Sequence, residues 1–274
     1  MAAFGRVASG LERALYADSR VRGVGYAGVL VAGAAGLGLV ERLPGARMPA
    51  TALATWAVLG GTSLGREGRE MARLLEADDL EGARARLSHL CARDPEGLDA
   101  KALARATVES VAENTSDAAI APLVWGAIGG VPGLLAYRAI NTLDAMVGYR
   151  NPRYERFGWA SARSDDVANW VPARVTGLLT VACAERRGEA WRVLRRDGGA
   201  HPSPNAGRCE AAFAGALGIR LGGANAYGGR LERRPEMGDG RAPEVRDIRR
   251  AVRLSAAVSV AAGVLAALVA RGVG

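Results

Sequence analysis

The sequence predicts an all-α fold: a polytopic helical membrane protein with charged amphipathic helices and loops outside the bilayer. Three observations lead there. Four runs without a charged residue, Gly23–Val40, Met48–Gly65, Ala118–Tyr137 and Leu254–Ala270, approach the ~20 residues that span a hydrocarbon core. Glycine and alanine crowd them, as in Gly33-Ala-Ala-Gly36-Leu-Gly38, which lets helices approach closely in lipid, where packing drives association. The charged residues, 23% of the chain, gather between the runs, so a mean hydropathy near zero averages two kinds of segment. A soluble all-α protein would instead have to bury all four runs in one core of a 274-residue chain.

Each element has its own signal. Residues 1–22 read as a short amphipathic helix, with Leu11, Ala14 and Leu15 on one side and Arg6, Glu12 and Arg13 on the other. Gly23–Val40 and Met48–Gly65 follow as two apolar helices, and Glu41-Arg-Leu-Pro44-Gly45 between them fits a helical hairpin. From Arg66 to His89 the pattern becomes a pair of charged amphipathic helices, with Met71, Leu74, Leu75, Leu80, Ala83 and Leu87 as apolar stripes. Asp94-Pro95-Glu96-Gly97 interrupts it, and Leu98 starts a helix that runs on through Glu109. Pro122, Gly129, Gly130, Pro132 and Gly133 predict that Ala118–Tyr137 is broken or re-entrant. Such a break keeps the Arg-rich segments on either side of it at one membrane face. Val175–Ala184 reads as the inner half of a helix starting near Asn169, and Glu185–Asp197 as an amphipathic segment outside the bilayer. The paired prolines of His201-Pro-Ser-Pro-Asn205-Ala-Gly207 forbid a regular helix there. A helix from Glu210, a flexible loop at Gly222–Gly229 and a charged, Pro/Gly-broken region at Arg230–Arg250 come next. Ala251–Ala270 is the simplest span, and no internal repeat is visible.

Lys and Arg exceed Asp and Glu by eight. No zinc-finger spacing, recognition helix or set of stacking aromatics accompanies that excess, which argues against nucleic acid and for membrane-flanking loops. Cys91, Cys183 and Cys209 lie far apart without metal-ligand spacing.

Three polar clusters between Arg105 and Arg174 carry the chemistry. On a helix, Arg105, Glu109, Glu113 and Asp117 share one face. Glu109, Glu113 and Asp117 are candidate Mg²⁺ ligands, because that ion takes a few carboxylates and completes its octahedron with water or phosphate oxygens. A solvated helix face is the plainer reading of the same stripe. Asp165 and Asp166 with Asn169 form a second oxygen cluster, for which helix capping is the alternative. Arg105, Arg138, Arg163 and Arg174 suit phosphate or balance the neighbouring carboxylates. Asn114, Asn141, Asn169 and Asn205 point to a polar cavity, since buried Asn must be hydrogen-bonded. His201, flanked by prolines, is either structural or a proton carrier.

Four of these stretches together resemble one family. They are Glu109-Ser-Val-Ala-Glu113-Asn114-Thr-Ser116-Asp117, Arg138-Ala-Ile-Asn141-Thr142-Leu-Asp144-Ala-Met146-Val-Gly148-Tyr149, Asp165-Asp166-Val-Ala-Asn169-Trp-Val-Pro172-Ala-Arg174 and His201-Pro-Ser-Pro-Asn205-Ala-Gly207. In this order they closely resemble the CobD/CbiB family of cobalamin biosynthesis proteins. The resemblance implies one multi-pass domain over 1–274 in the cell membrane, acting as adenosylcobinamide-phosphate synthase. That activity joins adenosylcobyric acid to aminopropanol phosphate, or a related amino alcohol phosphate, as an amide, with ATP and Mg²⁺. A carboxylate must be made electrophilic for this, most simply as an acyl phosphate. The implied roles are Asp165, Asp166 and His201 in catalysis and Glu109, Glu113 and Asp117 on the metal. Arg138 and Arg174 would clamp phosphate, and Asn114, Asn141, Asn169 and Asn205 would orient substrates. The implied partners are the corrinoid, the amino alcohol phosphate, membrane lipid and other proteins of the late corrin pathway, with no nucleic acid. Family members usually begin with a further apolar segment before the Gly-Arg helix, and Met1-Ala-Ala-Phe-Gly-Arg6 is expected to start just after it. A transporter or signalling protein of AmpE-like type, or an inactive truncated paralogue, is the alternative.

Overall fold

Helix limits follow local chemistry. Asp79 and Asp99 each start a helix through a carboxylate that accepts the backbone N–H three residues on, Gly82 at 2.8 Å and Ala102 at 2.7 Å. The structure, a computed structural model, describes residues 2–149, 151–227 and 230–273. In chain order the first helices are α1 (Ala2–Leu15), α2 (Arg20–Gly38), α3 (Arg47–Val58), α4 (Gly61–Glu76) and α5 (Leu80–Leu87). Then come α6 (Ala100–Thr115), a π-helical turn Ser116–Ile120, α7 (Ala121–Val147), α8 (Trp159–Ala168) and α9 (Trp170–Cys183). The chain closes with α10 (Arg187–Asp197), α11 (Ala206–Leu217), strands β1 (Leu221–Tyr227) and β2 (Arg230–Met237), and α12 (Val245–Val273).

These elements form two compact units. The first holds the chain up to Leu59, Ala121–Trp170 and the chain from Val264; the second holds Gly60–Ile120 and Val171–Gly263. In the first, α2 packs on α7 and α8, with Tyr26, Ala27, Leu30, Leu143, Val147 and Phe157 buried together. Gly38 is needed for that approach, because a Cβ there would come within 2.5 Å of the Pro132 backbone. Within α7, Gly130 takes φ 60°, ψ −153° and breaks the helix just before Pro132. The Val131 N–H beside this break donates to Glu41 Oε2 at 3.0 Å. In the second unit, α4, α5, α6 and α11 bury Met71, Leu87, Leu103, Val108 and Phe213 around Ile248 and Val252 of α12. Thr115 Oγ1 donates to Ser255 Oγ at 2.6 Å to tie α6 to α12.

Three helical segments are long and apolar enough to cross a membrane: Arg20–Arg42, Ala100–Val147 and Val245–Arg271. Large apolar side chains stay exposed along them, among them Val21, Leu37, Ile128, Val260 and Leu268, as a lipid-facing surface requires. The predicted all-α membrane architecture and the break in Ala118–Tyr137 are therefore present.

Several expectations are corrected. Met48–Gly65 is not one helix: α3 stops at Val58 and α4 starts at Gly61, leaving twelve residues in α3, too few to span. Glu12 does not face outward; it is buried and accepts from Tyr154 Oη at 2.8 Å and Arg153 at 3.1 Å. The expected flexible loop and the first part of the charged stretch, to Met237, form an antiparallel hairpin, Leu221 opposite Met237 and Gly223 opposite Arg234, and the end of that stretch, from Val245, already belongs to α12. Gly228 and Gly229 of that loop lie outside the described residues. The hairpin is polar and glycine-rich, so no alternation of apolar residues announced it.

Candidate functional site

In the first unit Arg138 and Asn141 meet Asp165 and Asn169. Tyr137 Oη on α7 donates to Asn169 Oδ1 at 2.9 Å, and Asn169 Nδ2 donates to Asp165 Oδ2 at 2.9 Å. From the other side Arg138 Nη1 donates to Asn141 Oδ1 at 3.2 Å, and Asn141 Nδ2 lies 3.4 Å from Asp165 Oδ1. Helical spacing does the positioning: Arg138 and Asn141 are three apart on α7, and Asp165 and Asn169 four apart at the end of α8. Burial raises the Asp165 carboxyl above its usual range, with Asp166 adding to the rise, while the two amides hold it down. Asp166 pairs with Arg163 at 3.2 Å. Beside this network, α2, α7 and α8 line an apolar cleft of about 900 Å³ that shares Tyr137 with it.

In the second unit the His201–Gly207 motif folds on itself. Ser203 Oγ accepts the N–H groups of Asn205 and Ala206 at 3.3 and 3.2 Å, which caps α11. The Ser203 N–H donates to His201 Nδ1 at 3.0 Å. Gly207 leaves room for the imidazole, since a Cβ there would meet His201 Cβ at 2.5 Å. His201 Nε2 thereby faces Glu210 Oε1, 3.9 Å away, with both side chains buried. Asn205, also buried, stands at the start of α11. Arg174 lies near Arg208: burial, and then that second guanidinium, lower it from its usual value. Two arginines so placed suit a phosphate.

The expected carboxylate stripe does not converge. Among the described residues, no three of His, Cys, Asp and Glu form a set able to hold a metal ion. Glu109, a candidate metal ligand, is engaged as an anchor. Its Oε2 accepts from buried Arg93 at 2.6 Å and its Oε1 from the Gly222 N–H at 2.7 Å. Arg105 grips the same strand through the carbonyls of Gly222 and Ala224, so this helix face docks the hairpin. Asn114 donates to the Ser110 carbonyl at 2.9 Å and stands 3.5 Å from that of Leu90, both backbone groups. Glu113 and Asp117 act through charge on Cys209, whose thiol is raised first by burial.

A sequence profile for the CobD/Cbib protein family matches residues 1–255. The chain belongs to the CobD/Cbib family. Relatives named "Cobalamin biosynthesis protein CobD" occur in Mycobacterium tuberculosis, at 56% identity over 98% of this chain and 88% of the relative. The Geobacter metallireducens protein of that name is 48% identical over 86% and 79% of the two chains. The one from Stutzerimonas stutzeri is 47% identical over 79% and 71%. No solved structure matches.

Within this CobD/Cbib fold, sequence reasoning passed over Arg93, Tyr137, Arg208 and Glu210. A signal existed for Glu210, a carboxylate set among the small apolar residues of Ala206–Leu217. Arg93 carried none, because its partner Glu109 is sixteen residues away across a helix start.

Proposed function

We propose that this cobalamin-biosynthesis family member is an adenosylcobinamide-phosphate synthase of the cell membrane. In this reading it joins a carboxylate of adenosylcobyric acid to the amine of aminopropanol phosphate or a related amino alcohol phosphate. The observation that carries the reading is the Asp165 network. Four polar side chains converge on one carboxylate, two directly and two through them, beside an apolar cleft, which is the mixed chemistry an amphiphilic corrinoid and a phosphate-bearing amine require.

The donor set also fits a divalent cation. Asp165, raised by burial and by the neighbouring Asp166, is the kind of carboxylate that a hard ion relieves, and Mg²⁺ needs only one or two of them. Asp165 and Asp166 would hold it. Bound Mg²⁺ and ATP would supply activation of the corrinoid carboxylate and neutralisation of phosphate charge. Within the first unit Arg138 would bind phosphate oxygens, and Asn141 and Asn169 would orient the carboxylate through their amides; within the second, the Arg174–Arg208 pair would bind phosphate. Tyr137 locks the Asn169 amide, since its hydroxyl donates to Oδ1 and leaves Nδ2 for Asp165.

The test is complementation of a strain lacking this synthase, with cobinamide supplementation as the pathway control. Rescue by the 274-residue chain and loss of rescue by Asp166→Asn, with protein still in the membrane, support the reading. No rescue despite membrane expression, or full turnover by Asp166→Asn, counts against it.

A further inference from the structure

The second unit contains a pair of polar atoms that the site as described does not use. His201 Nδ1 accepts the Ser203 N–H, so a neutral imidazole must carry its proton on Nε2. That Nε2 points at Glu210 Oε1 across 3.9 Å, too far for a hydrogen bond. Neither atom has a hydrogen-bond partner among the described residues, and the two side chains are 4% and 1% exposed. Buried polar atoms left this way are costly unless a ligand or a proton completes them.

Other charges nearby set the balance at the pair. Glu109 and Glu113 on α6 and Arg93 ahead of it act on Glu210, as does Arg234 on β2; Arg234 and Glu109 act on His201. Asp197 on α10 is turned away to Arg196 and the Gly238 N–H. Burial, then Arg234, lowers His201 to about 4, so the imidazole stays neutral and its Nδ1 stays occupied. Burial, then Glu109 and Glu113, raises Glu210 well above the usual carboxylate range, which strengthens it as a base.

We propose that Glu210 is the proton acceptor for the primary ammonium of the amino alcohol substrate, with His201 Nε2–H as the donor that positions its carboxylate. This rests on the synthase reading and corrects one expectation within it: His201 is a positioning residue, and Glu210 takes the proton. The step is one proton transfer. An N–H bond of the ammonium breaks, its electron pair remains on nitrogen as the attacking lone pair, and the proton bonds to Glu210 Oε1.

The experiment measures amide formation by the full chain in membranes or detergent, with the corrinoid acid, aminopropanol phosphate and Mg-ATP, from pH 6 to 10. Glu210→Gln is expected to lose about 100-fold in kcat near pH 7. Its rate should then climb about tenfold per pH unit until the amine's own pKa is reached, because each unit of pH supplies tenfold more free amine. The unaltered chain should level off at a lower pH, once Glu210 is ionised. His201→Gln should lose less and keep the unaltered chain's profile. A Glu210→Gln variant that keeps full activity, or loses the same factor at every pH, overturns the inference while leaving the synthase reading intact. An unaltered chain that forms no amide overturns both. If Glu210→Gln fails to reach the membrane, Glu210→Asp decides: a lowered rate that levels off below the amine's own pKa supports a carboxylate base, and a climb that continues to the amine's pKa overturns it.

Discussion

The two units each hold a carboxylate away from water, and they compensate it in different ways. In the first, Asp165 receives the amides of Asn141 and Asn169 and has Arg138 one residue further out. In the second, Glu210 Oε1 receives no hydrogen bond, while its neighbour Glu109 is held by Arg93 and a backbone N–H. A carboxylate given neutral donors keeps its charge and can receive a cation; one left bare gains most by taking a proton. Ion binding thus suits the first unit and proton handling the second.

The sharpest way to break this contrast is to remove the cation that compensates Glu109. Arg93→Met leaves Glu109 buried and unpaired and should destabilise the protein by about 3–5 kcal/mol. Arg93→Met with Glu109→Leu should regain most of it. Thermal unfolding in detergent reads both, and no recovery in the double variant would mean that the pair is not the source.

Next comes pH. His201, depressed by burial to about 4, contributes stability that is complete above its unfolded value of 6.5 and lost as pH falls toward 4. That loss should be about 3 kcal/mol and should disappear in His201→Gln. Glu210 works in the opposite sense: raised above 4.5, its contribution is complete below that value and declines as pH rises through the raised one. Glu210→Gln should therefore be at least as stable as the unaltered chain at alkaline pH, where the buried carboxylate is most costly. Lower stability there would break the assignment of Glu210 as the uncompensated group.

Within the first unit, Asn169→Leu should cost about 2 kcal/mol, because it removes both the acceptor of the Tyr137 hydroxyl and the 2.9 Å donor to Asp165. Asn141→Leu should cost less, about 1 kcal/mol or below, since its contact with Asp165 is 3.4 Å. Reversal of that order in unfolding measurements would place the main support of Asp165 on α7 instead of α8.

Three of the four apolar runs, the break in α7 and the polar motifs were legible along the chain because each is a local pattern. Hydropathy over twenty residues, a Gly-Gly-Val-Pro sequence and i, i+3 or i, i+4 spacing need no partner to be read. Asp165 with Asn169, and Arg138 with Asn141, were legible for the same reason. Which groups compensate which was settled by folding. Glu109 looked like a ligand on a stripe and became an anchor because Arg93 and Gly222, distant in sequence, arrive at its two oxygens. Glu210 looked like one residue of an apolar helix and became half of a pair because a proline-bracketed turn swings His201 back over α11. A residue's type and spacing state what it can donate, accept or ionise, but its charge state depends on burial and neighbours, and those come from parts of the chain that meet only in three dimensions.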